Sequence, residues 1–462
     1  MTIQPQAPLI DHASLVFTEA MTGRPSPSPL QYAFSGKSSA HAGRGGVPPL
    51  SADRSQQTLS ALLSEPTVSV KGRALYVHIP FCRVRCSFCN FFKYAASPKL
   101  MADYFQLLLL DLERKARQPW SQAQPFDAVY IGGGTPTDLS AEQIFQLGQR
   151  IQQLLPLTPD CEITLEGRLN KFDDAKFEQA LAGGFNRFSF GVQSFDTQVR
   201  RPAKRLDDRQ PLLQQLKRLT GANAATIAID LMYGLPHQTA QTWQQDLQDT
   251  LEAGVDGVDL YQLIQFKGSG IERDVEQGRL AEPMGSAERA LLYQQGANFL
   301  NKSGWKQLSY CHWASGDKEK SCYNAMAKSG AEILAVGAGA GGNLAGFGYM
   351  QPRDIEPWQQ ALDDQQWPVA MMMAKSPNHL LDAALVGACD RGHLTASAIG
   401  HARYKAAGPL FLKWQQHGLA QCHSDGVRLT MAGQFWSVNL ANGMLQYLNQ
   451  NQQAVEACEH AA

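Results

Sequence analysis

The most informative segment of this 462-residue chain is Tyr76-Val77-His78-Ile79-Pro80-Phe81-Cys82-Arg83-Val84-Arg85-Cys86-Ser87-Phe88-Cys89-Asn90-Phe91. Its cysteines follow a C-x3-C-x2-C spacing, directly after an apolar run that is typical of a strand. Three thiolates can bind three irons of a [4Fe–4S] cluster and leave the fourth iron open. An open iron can hold S-adenosylmethionine (SAM), and the reduced cluster can cleave it to a 5′-deoxyadenosyl radical. The spacing therefore predicts cluster ligands at Cys82, Cys86 and Cys89.

Two alternative roles for the three cysteines are open. A zinc site normally needs four nitrogen or sulfur ligands, and His78 is a candidate for the fourth, but the chain has no second C-x2-C pair. The three thiols can also be unrelated buried side chains. Six further cysteines are scattered, which argues against a disulfide framework. They are Cys161, Cys311, Cys322, Cys389, Cys422 and Cys458.

The fold class predicted from hydrophobic patterning is α/β. Short apolar runs alternate with amphipathic segments over most of the chain, which indicates a parallel sheet in a partial (β/α)6 barrel. The predicted strands are Ala74–Ile79, Ala128–Ile131, Glu162–Leu165, Arg187–Phe190, Thr226–Ile229 and Gly257–Leu260. In such a barrel the loops after the strands bind the ligands, so the cysteine loop lies where the chemistry is expected.

Three regions are expected along the chain. Residues 1–70, rich in Ser, Pro and Gly, predict an irregular N-terminal arm with one short helix near 55–64. Residues 71–350 contain the barrel. Residues 351–462 are mainly helical, and a hairpin pattern at 425–430 is similar to a winged helix, with a plain helical cap as the alternative.

Charge and hydropathy restrict the partners. The 41 Lys and Arg residues nearly balance 42 Asp and Glu residues, so net charge does not demand a nucleic acid. No run of about 18 apolar residues predicts a membrane span, and Met1-Thr2-Ile3-Gln4 does not begin a secretory signal. We therefore expect a cytoplasmic protein. A monomer is expected because no coiled-coil pattern is visible.

Polar residues and glycines follow the predicted strands. Gly132-Gly133-Gly134-Thr135-Pro136 ends the second strand, where backbone groups can approach a ligand closely. Glu166, Gln193 and Asp230 lie near the ends of the next three strands and can bond to ribose hydroxyls or an amino group. Arg205 can pair with a carboxylate. Each of these could instead be an incidental surface residue, but their register with the cysteine loop favours a SAM site.

A second glycine cluster is Val336-Gly337-Ala338-Gly339-Ala340-Gly341-Gly342. It is similar to a dinucleotide-binding fingerprint, but no helix pattern opens at these glycines. We expect instead a close-approach loop at the barrel mouth that contacts the substrate or a second SAM.

These motifs together resemble the oxygen-independent coproporphyrinogen III dehydrogenase family of radical SAM enzymes. The resemblance rests on Tyr76 to Cys89, Gly132 to Pro136, Gly191 to Phe195 and Asp230 to Pro236, and it covers roughly residues 73–345. It implies two SAM molecules, the second near Gly339 and Gly341. The SAM contacts that it implies are Tyr76, Phe88, Gly133, Gly134, Thr135, Glu166, Gln193, Arg205 and Asp230.

One departure from that family concerns the reaction. The dehydrogenase has a further cysteine two places after the third cluster cysteine, and here that position is Phe91. The chain looks more like the anaerobic haem-utilisation branch, to which Leu15-Val16-Phe17-Thr18 and Ala40-His41-Ala42-Gly43 are also similar. This resemblance implies a radical SAM methyltransferase that opens the haem ring without oxygen, releases iron and forms a methylated, anaerobilin-type linear tetrapyrrole.

The resemblance also implies partners and a haem site. Haem is the expected substrate, and His312 and His41 are the candidate contacts, His312 as an axial ligand. A flavodoxin or a reduced nicotinamide system is the expected electron donor, and a haem-delivery protein is a further possible partner. The alternatives are coproporphyrinogen decarboxylation, a cluster-containing haem chaperone and a zinc-binding structural protein.

Overall fold

The computed structural model describes residues 16–38, 48–90 and 92–460. Its strands are β1 Arg73–Ile79, β2 Phe81–Cys82, β3 Tyr94–Ala95, β4 Phe126–Gly133, β5 Leu157–Gly167, β6 Arg187–Gln193, β7 Thr226–Tyr233, β8 Gly257–Gln262, β9 Lys306–Gln307, β10 His312–Ala314, β11 Glu332–Val336, β12 Gly341–Leu344, β13 Phe347–Met350, β14 Met371–Ala374, β15 His393–Leu394, β16 Ala420–His423 and β17 Gly426–Leu429.

The helices occupy the connections between these strands and both ends of the chain. They are α1 Glu19–Thr22, α2 Pro29–Tyr32, α3 Ala52–Ser64, α4 Pro98–Ala116, α5 Pro119–Gln122, α6 Ala141–Leu154, α7 Asp174–Ala182, α8 Thr197–Arg200, α9 Arg209–Gly221, α10 Ala240–Ala253, α11 Gly270–Glu276, α12 Ser286–Lys302, α13 Cys322–Ser329, α14 Ile355–Asp363, α15 His379–Arg391, α16 Ala396–Ile399, α17 His401–Ala406, α18 Gly408–Gln416, α19 Met431–Phe435, α20 Ser437–Gln450 and α21 Gln452–His460.

The predicted parallel barrel is confirmed. Strands β1, β4, β5, β6, β7 and β8 are neighbours in that order, and each pairs in parallel with the next. Helices follow the strands and cover their outer faces, so the outward side chains are apolar and buried, as in β7, where Ile227, Ile229 and Leu231 are fully buried. The carboxyl ends of all six strands therefore meet at one mouth, where the predicted site residues follow them.

The sheet continues beyond β1. Strand β11 pairs in parallel with β1, and β12, β13 and β14 follow it in antiparallel order. Strand β11 therefore precedes the second glycine cluster. Hydrophobic patterning did not assign β11 as a barrel strand. The cluster still departs from a dinucleotide fold, because a hairpin and not a helix follows the glycines.

The described part of the N-terminal arm is held by indole donors from the C-terminal region. Trp414 Nε1 donates to the Met21 carbonyl at 2.8 Å. Trp436 Nε1 lies 3.1 Å from the Pro29 carbonyl and 3.0 Å from the Leu30 carbonyl. These contacts order two short helices, α1 and α2, in a segment whose composition predicted irregular structure. The predicted helix near 55–64 is present as α3.

The C-terminal region is mainly helical, as expected. Strands β15, β17 and β16 form a separate three-stranded antiparallel sheet, and β16 and β17 make the hairpin that the sequence predicted. The region boundaries at 70 and 350 stay predictions. No helix in the described ranges is both long and apolar enough to cross a membrane.

The indole of Trp436 offers a test of how the arm is attached. We expect Trp436→Phe to lower the free energy of unfolding by about 1–3 kcal/mol, because buried carbonyls of α2 lose their donor. Urea denaturation measures this. Trp367→Phe is the control, since its indole nitrogen makes no hydrogen bond in the described segments. Equal losses in the two variants would contradict an anchoring role of the Trp436 donor.

Candidate active site

The cysteine loop is fixed over the barrel mouth by a close backbone contact. The amide of Gly134 donates to the Ile79 carbonyl at 2.7 Å, and a Cβ on Gly134 would lie 2.3 Å from the Phe81 carbonyl oxygen. Only glycine fits there without moving the loop. The short strand β2, which includes Cys82, pairs with β3 beside this contact.

The predicted cluster cysteines lie among donors and cations. Thr135 Oγ1 donates to Cys82 Sγ at 3.3 Å, and an Arg168 guanidinium nitrogen donates to Cys86 Sγ at 3.2 Å. Burial raises the pKa of Cys82, against the hydrogen bond from Thr135 and the charge of Arg168. Cations and donors of this kind stabilise the thiolates that an iron–sulfur cluster requires. The donor set therefore fits the predicted cluster.

The alternative of a single zinc ion fits less well. In the described segments no three His, Cys, Asp or Glu side chains are grouped so that they could hold one metal ion. A tetrahedral zinc needs its ligands about one ion, whereas the three cysteines of a cubane bind three different irons. The cluster assignment therefore rests on the cysteine motif and on the donors to Cys82 and Cys86.

The rest of the cysteine loop is tied to neighbouring elements. Ser87 Oγ donates to the Pro202 carbonyl at 2.7 Å, and the Ile271 amide in α11 donates to the Ser87 carbonyl at 3.1 Å. Phe88 packs in a small apolar cluster that includes Ile271. These contacts close one side of the mouth around the loop.

Arg205 and Gln193 converge on Gly191 beside the cysteines. A Cβ on Gly191 would lie 2.6 Å from the Gln193 amide nitrogen and 3.2 Å from an Arg205 guanidinium nitrogen. Gln193 has a φ of 72°, at a register shift in β6, so the strand turns this side chain inward at a cost in backbone energy. Arg205 is buried and its Nε has no hydrogen-bond partner within the described residues. This donor is available to an anionic ligand.

Glu166 and Asp230 bring two carboxyl groups into the barrel. Burial raises the pKa of Glu166 to about 7, opposed by hydrogen bonds from Tyr130 and the Gly133 amide. Burial also raises the pKa of Asp230 to about 8, and the nearby carboxylates of Asp259 and Glu166 add to this. Partly protonated acids at a strand end can both donate to and accept from hydroxyl and amino groups. The structure thus gathers the strand-end residues that the sequence predicted.

His312 lies deeper in the barrel, within an ion network. Its Nδ1 is 2.7 Å from Asp259 Oδ2 and its Nε2 is 3.3 Å from Glu319 Oε1. Glu319 also binds the Nε of Arg187 at 3.0 Å. Burial alone would lower the pKa of His312, but Asp259 and Glu319 outweigh it and raise this pKa to about 9. A histidine with both ring nitrogens protonated has no lone pair for iron, so this environment disfavours the axial ligand, which stays a prediction. The other candidate, His41, lies outside the described residues.

His78 occupies a position between the two glycine clusters. A Cβ on Gly133 would lie 2.7 Å from the His78 ring, and one on Gly339 would lie 3.5 Å from it. The Tyr76 hydroxyl is 2.9 Å from His78 Nδ1. Gly339 and the neighbouring glycines are positioned by α4, because the Ala338 amide donates to the Tyr104 hydroxyl at 3.1 Å. Gly341 begins β12 and pairs with Met350, farther from this ring.

Sequence reasoning missed several residues of this site. Arg168 was not identified as a donor to Cys86, and Glu319 and Arg187 were not identified as partners of His312. The sequence signal for Arg168 was its position two residues after Glu166, at the same strand end. Glu319 lies in a connection between β10 and α13, and nothing in the local sequence indicates that it enters the barrel.

Comparison with known proteins gives consistent results. Residues 76–250 match the family described as the radical SAM superfamily. Anaerobilin synthase of Escherichia coli O157:H7 is 35% identical over 413 residues, which are 87% of this chain and 91% of that protein. The heme chaperone HemW of Synechocystis is 28% identical over 328 residues, which are 68% of this chain and 77% of that protein.

A solved structure shows the same fold. Coproporphyrinogen III oxidase (HemN) from Escherichia coli, described as a radical SAM enzyme, aligns with a TM-score of 0.73 and covers 93% of this chain and 100% of its own. The sequence identity is 21%, so this likeness concerns the fold alone.

The cysteine assignment can be tested by cluster content. We expect anaerobically reconstituted Cys86→Ala to lose most of its bound iron and sulfide and its brown absorbance, because one iron loses its ligand. Cys422→Ala is the matched control, since this cysteine is exposed and remote from the loop. Unchanged iron and sulfide in Cys86→Ala would contradict the assignment.

The ion network predicts a pH dependence of stability. The folded pKa of His312, about 9, lies above its ordinary value of 6.5. Its stabilising contribution is therefore complete below about pH 6.5 and is lost as the pH rises through about 9. We expect the free energy of unfolding of wild type to fall by roughly 3 kcal/mol more than that of His312→Gln over this range. Urea denaturation at several pH values measures the difference, with His401→Gln as an exposed control. Parallel curves for His312→Gln and wild type would contradict the network.

Proposed function

We propose that this chain, which belongs to the radical SAM superfamily and within it to the anaerobilin synthase family, opens the porphyrin ring of haem without oxygen. The observation that carries the proposal is the 35% identity to anaerobilin synthase over 87% of the chain. The cysteine loop, with donors on Cys82 and Cys86, supports it.

In this proposal Cys82, Cys86 and Cys89 hold the [4Fe–4S] cluster. Cluster and SAM, when bound, supply an electron and a carbon-centred radical. The residues proposed to contact SAM are Tyr76, Phe88, Gly133, Gly134, Thr135, Glu166, Gln193, Arg205 and Asp230. The packing of Phe88 and α11 around the loop keeps water from the reacting groups.

The charges of the site suit the two ends of SAM. Arg205, buried and with an unsatisfied Nε, is suited to bind the carboxylate. Glu166 and Asp230, with raised pKa values, are suited to ribose hydroxyls and the amino group.

Methyl transfer is the finer part of the proposal. A second SAM near Gly339 and Gly341 would serve as the source of the methyl group: its S–CH3 bond would break, S-adenosylhomocysteine would leave, and the methyl carbon would bond to a meso carbon of haem. With electrons from the external reductant, the C–C bond beside that carbon would then break, iron would leave and a methylated linear tetrapyrrole would remain. The turn at Gly339, with a φ of 85°, leaves room for close approach of a ligand.

The partners follow from this chemistry. An electron donor is required, and a flavodoxin or a reduced nicotinamide system suits the potential of such clusters. A haem-delivery protein is consistent with a hydrophobic substrate. We propose a monomer in the cytoplasm, where cluster thiols stay reduced.

A second candidate is a haem chaperone that keeps the cluster and transfers haem intact. The 28% identity to the heme chaperone HemW favours it. Coproporphyrinogen oxidation is supported only at the level of the fold, and Phe91 stands where the resemblance to the dehydrogenase family implies a further cysteine.

One turnover experiment separates these candidates. The reconstituted enzyme is mixed anaerobically with haem, excess reductant and SAM carrying a deuterated methyl group. We expect the Soret band to disappear and an iron-free tetrapyrrole to form. Its mass should exceed that of the product from unlabelled SAM by the difference of three deuterium atoms. Cys86→Ala should leave haem intact. A bound but unaltered haem would support the chaperone and remove the ring-opening proposal. Turnover of coproporphyrinogen instead of haem would favour the oxidase.

A further inference from the structure

Two histidines point into the barrel from its strands, and their surroundings differ. His312 on β10 has a carboxylate at each ring nitrogen, at 2.7 Å and 3.3 Å. His78 on β1 has one phenol, Tyr76, at its Nδ1, and its Nε2 makes no hydrogen bond in the described part of the chain. His312 Nε2 also lacks a hydrogen-bond partner among the described residues, so the two rings differ in the carboxylates that face His312 and not His78.

The ring of His78 is also neutral. Burial, followed by the charge of the nearby Arg353, lowers its pKa to about 4. A neutral imidazole is the form that binds iron, with one nitrogen as the ligand and the other hydrogen-bonded to fix the ring. The Tyr76 hydroxyl supplies that second contact when its oxygen accepts the Nδ1 proton.

Arg353 provides a cation at the same place. The Gly339 amide donates to the Pro352 carbonyl at 2.8 Å, so the chain at Arg353 runs beside the glycine turn that the His78 ring touches. The Arg353 side chain is exposed, and it forms no ion pair with any of the described residues. The carboxylate of the adjacent Asp354 is already paired, because its Oδ1 lies 2.5 Å from Lys93 Nζ.

From this juxtaposition we propose that His78 Nε2 binds the haem iron and that Arg353 binds a haem propionate. The proposal rests on haem as the substrate and adds the orientation of the macrocycle. The iron would lie at His78 Nε2, and one propionate would lie at Arg353, the residue before Asp354 and α14. Tyr76 is then a positioning residue for His78 as well as a proposed SAM contact.

The iron ligand is tested by binding without turnover. Ferric haem is added to the reconstituted holoenzyme without SAM or reductant, and the Soret maximum and the electron paramagnetic resonance spectrum of the haem iron are recorded. We expect His78→Ala and His78→Gln to lose the histidine-ligated signal, and added imidazole to restore it in His78→Ala. His312→Gln and the exposed control His401→Ala should keep it.

The propionate contact is tested by comparing two ligands. We expect Arg353→Ala to weaken binding of haem roughly tenfold or more, since one charge-assisted contact is lost. The same variant should bind haem dimethyl ester as wild type does, because the ester lacks the carboxylates. Lys93→Ala is the matched control, since its ammonium already pairs with Asp354.

The outcomes separate this inference from the proposed function. If wild type binds no haem, the proposed function fails and the inference fails with it. If wild type binds and opens haem while both His78 variants keep the histidine-ligated spectrum, the iron ligand is elsewhere and only the inference is overturned. An equal loss of haem and ester affinity in Arg353→Ala would overturn the propionate contact.

Discussion

Four consecutive residues at the end of β4 connect the parts of the candidate site. A Cβ on Gly132 would meet Glu166, one on Gly133 would meet the His78 ring, and one on Gly134 would meet the Phe81 backbone. The next residue, Thr135, donates to Cys82. Each glycine contact requires the backbone to approach another group more closely than a side chain permits. This segment therefore determines where the cysteine loop lies over the barrel mouth. The rotamer of His78 and the position of Glu166 also depend on it.

Charged side chains lie in two layers inside the barrel, one towards the mouth and one deeper. Positive and negative groups lie close together within each layer. Towards the mouth, Arg205 lies near the cysteines and the carboxyls of Glu166 and Asp230. Deeper in the barrel, Arg187 binds Glu319, which also contacts His312. A buried charge is costly unless it is paired, so the loss of one member of either layer is expected to destabilise the fold. Among the described residues, Arg205 Nε in the upper layer and Arg187 and His312 in the deeper layer each retain a buried nitrogen without a hydrogen-bond partner.

The relatives place the chain among proteins whose names concern haem and porphyrinogens. The fold is common to this chain and to a coproporphyrinogen oxidase, so the fold alone does not determine which tetrapyrrole reacts. The side chains that distinguish one tetrapyrrole from another must lie where the flat substrate contacts the barrel mouth. His78 and Arg353 lie on the side of the mouth formed by β1 and the hairpin of β12 and β13.

Local sequence determined much of this protein. The spacing of Cys82, Cys86 and Cys89, and the alternation of apolar runs with amphipathic segments, predicted the loop, the six parallel strands and their order, because strand patterning and cysteine spacing are properties of short segments. The glycines of Gly132–Gly134 were also visible as a close-approach turn. Glu166, Gln193 and Asp230 were found because they follow strands whose ends must meet.

Only the tertiary structure decided the protonation of the two histidines, His312 and His78. His312 and His78 each lie within a strand, and their neighbours in sequence, Cys311 and Trp313 or Val77 and Ile79, give no sign of their charge state. Asp259 and Glu319 raise the pKa of the first, whereas burial and the charge of Arg353 lower the pKa of the second. The protonation of an imidazole depends on charges brought close by folding, often from distant segments, and local pattern carries no information about them.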